Sequence, residues 1–300
     1  MAEINTSGES VLRARVKVDV KELVMKIVFI IAAVIFILAV AFICIFIFAQ
    51  AFPAFTQIGI FEFLFGTKWF PTVDDPKFGI LPMIVGSCYV TAGALIVGVP
   101  IGFLTAVFMA RYCPKPVYKV MKPITNILAG IPSIIYGYFG LMVIVPFVRE
   151  TFGGDGMSII TASFILGIMI LPTIISISEN SLRAVPKSYF EGALALGATK
   201  ERAVFLTEVP AARSGITTSI ILGLGRVIGE TMAVVMICGN QARLPDELTD
   251  GVRTLTANIV LELGYAEGLH RSALIATAAV LFVFILIITL LVSLIRRKAR

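Results

Sequence analysis

The chain has 300 residues, 58% of them hydrophobic, with a mean hydropathy of +0.97. That is more apolar surface than one soluble domain of this length could bury, so the chain belongs in a bilayer. The formal net charge of +6 is concentrated in the flanks of the apolar runs and is not interleaved with aromatic residues. It points to anionic lipid headgroups and argues against nucleic acid as a partner.

Residues 1–26 form a basic segment with Arg13, Arg15, Lys17, Lys21 and Lys26. The apolar run Ile27–Ala49 that follows is long and lacks a small-residue cleavage site, so residues 27–52 are expected to be a retained helix and not a signal peptide. An aromatic outer loop is expected over 53–77. Further charge-free runs cover Phe78–Ala110, Pro123–Val148, Gly156–Ser178 and Ser272–Ile295, with Pro82 and Pro100 shaping the first of them. A sixth, Ser214–Cys238, is interrupted only by Arg226 and Glu230. The fold class expected is an all-α membrane protein with six transmembrane helices. Arg111, Lys115, Lys119 and Lys122 after the second span, and Arg296, Arg297, Lys298 and Arg300 after the sixth, place both termini in the cytoplasm, with residues 296–300 as a tail.

Between the fourth and fifth spans lies a segment, 186–210, too structured for a plain loop. Ser188 and Glu191 have the spacing of a capping box, Gly197 can close the helix, Thr199 can open a second one, and Pro210 resists its continuation. Arg183, Lys187, Lys200, Arg202 and Arg213 put this hairpin on the cytoplasmic side.

Arg226 lies near the middle of a span, where a charge costs roughly 2.5 to 3.5 kcal/mol on insertion scales. Glu230, at i+4, is expected on the same helix face and able to pair with it. One reading makes this a structural ion pair between packed subunits. The other makes Arg226 a cation for a passing anion, with Glu230 holding it until the anion arrives. Phosphate retains P–OH donors that a carboxylate can accept and fully ionised sulfate has none, so Glu230 would tolerate the former and disfavour the latter.

The remaining features call for no chemistry. Gly98 with Gly102, and Gly225 with Gly229, have spacings for close helix packing. Cys44, Cys88, Cys113 and Cys238 lack metal-ligand or CxxC spacing, and His270 is expected at the outer surface. Leu255, Ile259 and Leu263 recur at helical spacing ahead of Gly264, as in an amphipathic helix lying on the outer face. No Walker lysine motif and no catalytic constellation is present, so neither an ATPase nor a membrane hydrolase is expected, no cofactor is assigned to this chain, and no metal site is assigned.

Glu191, Ala193, Gly197 and Pro210 match the EAA signature of permease subunits in binding-protein-dependent ABC importers, while Gly192, Thr207 and Val209 depart from it. Four further stretches narrow the likeness: Phe61–Pro71, Phe78–Pro82 with Gly86 and Ser87, Leu128–Gly137, and Gly225–Ala233. Together they resemble phosphate importer permeases of the PstC type. The resemblance implies an extra first helix at 27–52 followed by a type I permease domain over 78–295 with a five-helix core. It implies that Ser188, Glu191, Ala193, Gly197 and Pro210 form the segment that couples to an ATPase, and that Arg226 and Glu230 line the path of inorganic phosphate. It also implies a second homologous permease, two cytoplasmic ATPase subunits and an extracytoplasmic phosphate-binding protein in a cell membrane. The alternatives are a permease of the same build for another oxyanion and, in a different class, a stand-alone secondary transporter or channel.

Overall fold

The computed structural model describes residues Val20–Lys298. Arg13, Arg15, Lys17 and the rest of residues 1–19 lie outside the described residues, as do Ala299 and Arg300 of the expected tail. Two compact units divide at Ala49 and Gln50.

The first unit consists of the greater part of α1 (Val20–Ile58), a run of mean hydropathy 3.4 whose strongest window has no buried residue. Such a helix is apolar on every side, which in a bilayer is the ordinary condition of a lipid-facing span.

The second unit begins inside α1, which passes through Pro53 and continues six residues beyond the expected boundary at 52. The expected loop 53–77 is therefore largely regular. It holds the end of α1, then α2 (Ile60–Phe65) and the first strand of a two-stranded hairpin, β1 (Trp69–Phe70) and β2 (Lys77–Phe78), with Trp69 opposite Phe78. Its aromatic residues are divided by burial: Phe63, Trp69 and Phe78 are inside, Phe61 and Phe65 outside.

The core is a pair of long helices, α3 (Leu81–Val107) and α7 (Ile159–Arg183). They approach closely because glycines replace side chains along the contact. A Cβ on Gly98 would lie 2.8 Å from the Gly167 carbonyl, and one on Gly102 2.9 Å from Ile174. Small residues that let backbones meet are the expected way to bind helices where lipid removes the hydrophobic drive. The second expected pair behaves differently. Among the described residues, nothing outside its own helix lies within 4 Å of a Cβ built on Gly225, and one on Gly229 would meet only the Gly225 carbonyl. That pair packs against no other described element, and Gly229 ends the helix.

The expected third span is two helices, α4 (Lys115–Gly130) and α5 (Ser133–Phe139), because Pro132 excludes Ile131 from the helical region and Ile131 is extended at φ −69°, ψ 126°. The membrane-length stretch starts after the break and runs Ser133–Phe152, ending in α6 (Val145–Phe152). Among the described residues five helical stretches are long and apolar enough to cross a membrane, the others being Lys21–Ile58, Leu81–Tyr112, Ile159–Arg183 and Gly268–Leu291. The sixth expected span is α10 (Val209–Ile228) followed, after a three-residue break, by α11 (Met232–Ile237).

Three helices widen into π turns, at Phe108–Tyr112, Gly140–Ile144 and Ala203–Glu208. In each case a proline follows two residues after the last π residue: Pro114, Pro146 and Pro210. Proline cannot donate to the helical ladder and its ring crowds the carbonyl four residues back. The wider turn relieves that clash. At Pro146 and Pro210 the chain stays helical, and at Pro114 it restarts as α4.

Candidate coupling and translocation sites

At the end of the molecule that carries its basic residues, α7 stops at Arg183 and α8 (Lys187–Ala195) starts after Pro186. Pro186, extended at φ −57°, ψ 138°, occupies the cap position. The capping-box reading of Ser188 is therefore corrected: Ser188 sits within the first turn and accepts no capping hydrogen bond, because the preceding proline starts the helix one residue earlier. The other end matches expectation. Gly197 adopts φ +82°, its N–H donates to the Leu194 carbonyl at 2.9 Å, and Ala198 N–H donates to Ala193 at 3.1 Å. This is a Schellman closure, which satisfies the last carbonyls and needs a left-handed residue. The Thr199 hydroxyl then accepts from Arg202 N–H to start α9 (Lys200–Arg202). Pro210 does not stop this second helix. The π turns before it let the chain run on into α10.

The α8 rod has no buried residue, and Leu196 at its tip is 91% exposed, beside exposed Tyr189 and Leu194. Glu191 lines a cavity of about 350 Å3 with Arg111, Lys187, Lys200 and Glu208.

The hairpin rests on a charged mount that sequence reading did not find. Glu179, fully buried, accepts from Tyr118 Oη at 2.7 Å, Lys122 Nζ at 2.6 Å and Arg183 Nε at 2.7 Å. Arg183 also donates to the Met109 carbonyl and lies over the Tyr118 ring. The bond to Glu179 holds the phenol proton and raises the Tyr118 pKa above the ordinary phenol range. Arg111 pairs with buried Glu208 at 2.7 Å and donates to the Leu182 carbonyl. Burial pushes the Glu208 carboxyl up, and Arg111 opposes that shift. These bonds tie the ends of α3 and α7, the start of α4 and the π turns after α9 into one block. The visible signal was an acid four residues before Arg183, just past the end of an apolar run.

The second site is the break between α10 and α11. Arg226 is in the last turn of α10, where a cation is favoured by the carbonyl ends of the helix. The helix ends at Ile228, so Arg226 and Glu230 do not share a helical face, and the expected ion pair is absent. Glu230 instead accepts from Ala233 N–H at 3.2 Å, closing the start of α11, while its own carbonyl accepts from Thr256 Oγ1 at 2.8 Å. Arg226 is half-buried and makes no hydrogen bond or ion pair among the described residues. The structure thus separates the two expected site residues: one fixes the break, the other leaves a cation uncommitted beside it.

At the opposite end, α12 (Leu255–Glu262) is not a surface helix. Leu255, Thr256, Ala257, Asn258 and Glu262 are buried, whereas Leu263 is exposed. The expected apolar stripe is displaced because polar residues face inward to meet partners. Gly264 does not take the left-handed conformation, and the turn closes through Tyr265 and Ala266 donating to Glu262. His270 is likewise buried, not superficial. Glu262 accepts from Trp69 Nε1 at 2.9 Å, bonds His270 Nε2 at 2.9 Å and pairs with Arg253. One carboxylate thereby joins β1, the loop before α12 and the start of α13 (Gly268–Lys298).

A family model for the inner membrane component of binding-protein-dependent transport systems matches residues 98–300, about two thirds of the chain. The chain belongs to that family. This permease is 39% identical over 275 residues to a probable ABC transporter permease protein, YqgH, of Bacillus subtilis, covering 89% of this chain and 88% of the other. It is 34% identical over 278 residues to the phosphate transport system permease protein PstC of Mesorhizobium japonicum, covering 86% and 84%. Among solved structures, the fold is similar to a chain of a bacterial alginate ABC transporter in complex with an alginate-bound periplasmic protein. The TM-score is 0.62 at 16% identity, with 91% of this chain and 96% of that one covered. It is also similar to a chain of the inward-facing MetNI methionine ABC transporter, at a TM-score of 0.55 and 21% identity, covering 74% and 94%. The architecture is that of a type I ABC importer permease.

Proposed function

We propose that this permease is one of two transmembrane subunits of an ATP-driven importer of inorganic phosphate. The likeness to phosphate permeases across 86% of the chain carries the reading of the substrate. The exposed, rigidly closed α8 supports coupling to a separate ATPase, since a helix with Leu196 uncovered at its tip is suited to a groove in a partner. In this reading both termini and α8 face the cytoplasm of a cell membrane. A homologous second permease completes the pathway, two ATPase subunits hydrolyse ATP, and an extracytoplasmic binding protein delivers phosphate over the hairpin and α12. Closure of the ATPases pushes α8, the charged mount passes the movement to α3 and α7, and the cavity between the permeases opens outward. Phosphate then meets Arg226 at the helix break, with Glu230 holding α11 in position beside it. Ser188, Glu191, Ala193, Gly197 and Pro210 remain assigned to coupling: Ala193 and Gly197 through the helix closure, Ser188 and Glu191 on the rod, and Pro210 through the π turns behind it.

Gly197→Val tests the coupling half of this proposal. A β-branched residue at φ +82° carries a strain of roughly 1 to 2 kcal/mol or more, while a Cβ there meets no other atom, so the damage is confined to the cap. The variant subunit is expected to insert and to bring down the ATPase in copurification, with ATP hydrolysis no longer stimulated by phosphate-loaded binding protein. Undiminished stimulation in the variant would contradict the role of α8.

A further inference from the structure

A cavity of about 430 Å3 opens at the basic end, between the π turns after α3, the first turn of α4 and the end of α7. Its charged lining is Arg111, Lys115, Lys119 and Arg183, with Cys113 and Tyr118 beside them, and among the described residues no acid lines it. The two arginines are anchored from behind. Arg183 is held by Glu179 and the Met109 carbonyl, and Arg111 by Glu208 and the Leu182 carbonyl. Each guanidinium has five N–H donors and spends only some of them on these anchors. Lys115 and Lys119, one helical turn apart, form no hydrogen bond or ion pair among the described residues. Glu208 pairs with Arg111, the single charge of Glu179 is shared between Arg183 and Lys122, and no acid pairs with Lys115 or Lys119 among the described residues, so the cavity keeps a net positive charge. Cations held rigid by acids behind them, with lysines opposite, are arranged for a phosphate oxyanion with several acceptor oxygens.

We infer that this cavity is a binding site for a phosphate group, presented by an anionic lipid headgroup or by free inorganic phosphate on the side of the membrane that α8 faces. It shares no residue with the Arg226 break and is independent of what the permease carries.

Cys113 provides the readout, since it lines the cavity. Alkylation of Cys113 by N-ethylmaleimide, followed by peptide mass spectrometry, is compared in full-length permease in nanodiscs under three conditions. These are phosphatidylcholine alone, the same lipid with phosphatidylglycerol, and phosphatidylcholine with inorganic phosphate added. The ratio of rates with and without the anion is measured, so that basal thiol reactivity cancels. Slowing by phosphatidylglycerol alone assigns the site to lipid, slowing by phosphate alone assigns it to the free ion, and slowing by both shows that either source is accepted. In Lys115→Gln/Lys119→Gln, two exposed positions outside the charged mount, the anion concentration giving half protection is expected to rise roughly 25-fold, at about 1 kcal/mol per lost cation. Cys113 rates unaffected by both anions, or protection undiminished in the double variant, would overturn the assignment.

Discussion

Glu179→Ala is expected to cost the folded permease about 3 kcal/mol, because it leaves the partly buried Lys122 and Arg183 without their shared acceptor and strands the Tyr118 hydroxyl. The two cations retain some solvent access, with side-chain exposures of 26% and 43%, which holds the loss to the lower end of the range for broken buried pairs. Glu179→Gln separates charge from geometry. Its amide oxygen can still accept from Tyr118 but no longer neutralises two cations, so an intermediate loss is expected. Thermal unfolding of the purified subunit in detergent should rank parent above Gln above Ala. Equal midpoints for all three would show that the mount does not hold the helices together. The consequence for transport follows from position: loosening the block between α8 and α3–α7 should reduce uptake even where the subunit still inserts.

Arg226→Gln should lower phosphate uptake about 10- to 100-fold, the value of one charge-assisted hydrogen bond of roughly 1.5 to 3 kcal/mol. The substitution removes the fixed charge and leaves a shorter, neutral side chain that can still donate a hydrogen bond. The finding that Glu230 caps α11 strengthens the expectation, because a cation in the last turn of a membrane helix with no ion pair among the described residues has no structural partner to explain it. Arg226→Lys keeps the charge and should recover part of the uptake. Normal uptake by Arg226→Gln in a complex that contains its binding protein would remove Arg226 from the pathway and leave it as a contact between subunits.

Much of this arrangement was legible in the chain because the signals were local. A long apolar run can hardly be anything but a span. Gly197 was readable because only the end of a helix asks for a left-handed residue at that point, and Thr199 because its hydroxyl reaches a backbone three residues on. Two of the misread features share one cause, the continuity of a helix assumed from hydropathy alone. Arg226 and Glu230 have the right spacing to pair, but Gly229 ends the helix between them. Pro123–Val148 reads as one span until Pro132 forces Ile131 out of the helical region. Ser188 and Glu191 satisfy a capping pattern that Pro186 had already made unnecessary. Pro210 was misjudged for the opposite reason, since π turns keep a helix going past a proline and leave no composition signal beyond the proline itself. Apart from Arg183, one turn after Glu179, the partners that let the two carboxylates organise the ends lie farther away in sequence. Glu262 meets Trp69 across 193 positions and Glu179 meets Tyr118 across 61, and nothing in the neighbourhood of either acid indicates such partners.

The most direct test of the central claim is uptake of radiolabelled phosphate by proteoliposomes that contain the permease, its homologous partner permease and the ATPase, with the phosphate-binding protein outside the vesicles and ATP inside. The expected result is phosphate accumulation that requires ATP, the binding protein and this subunit together, with no comparable accumulation of sulfate. Accumulation that proceeds in vesicles holding this chain alone, without ATPase or binding protein, would contradict the account and place the permease among stand-alone transporters.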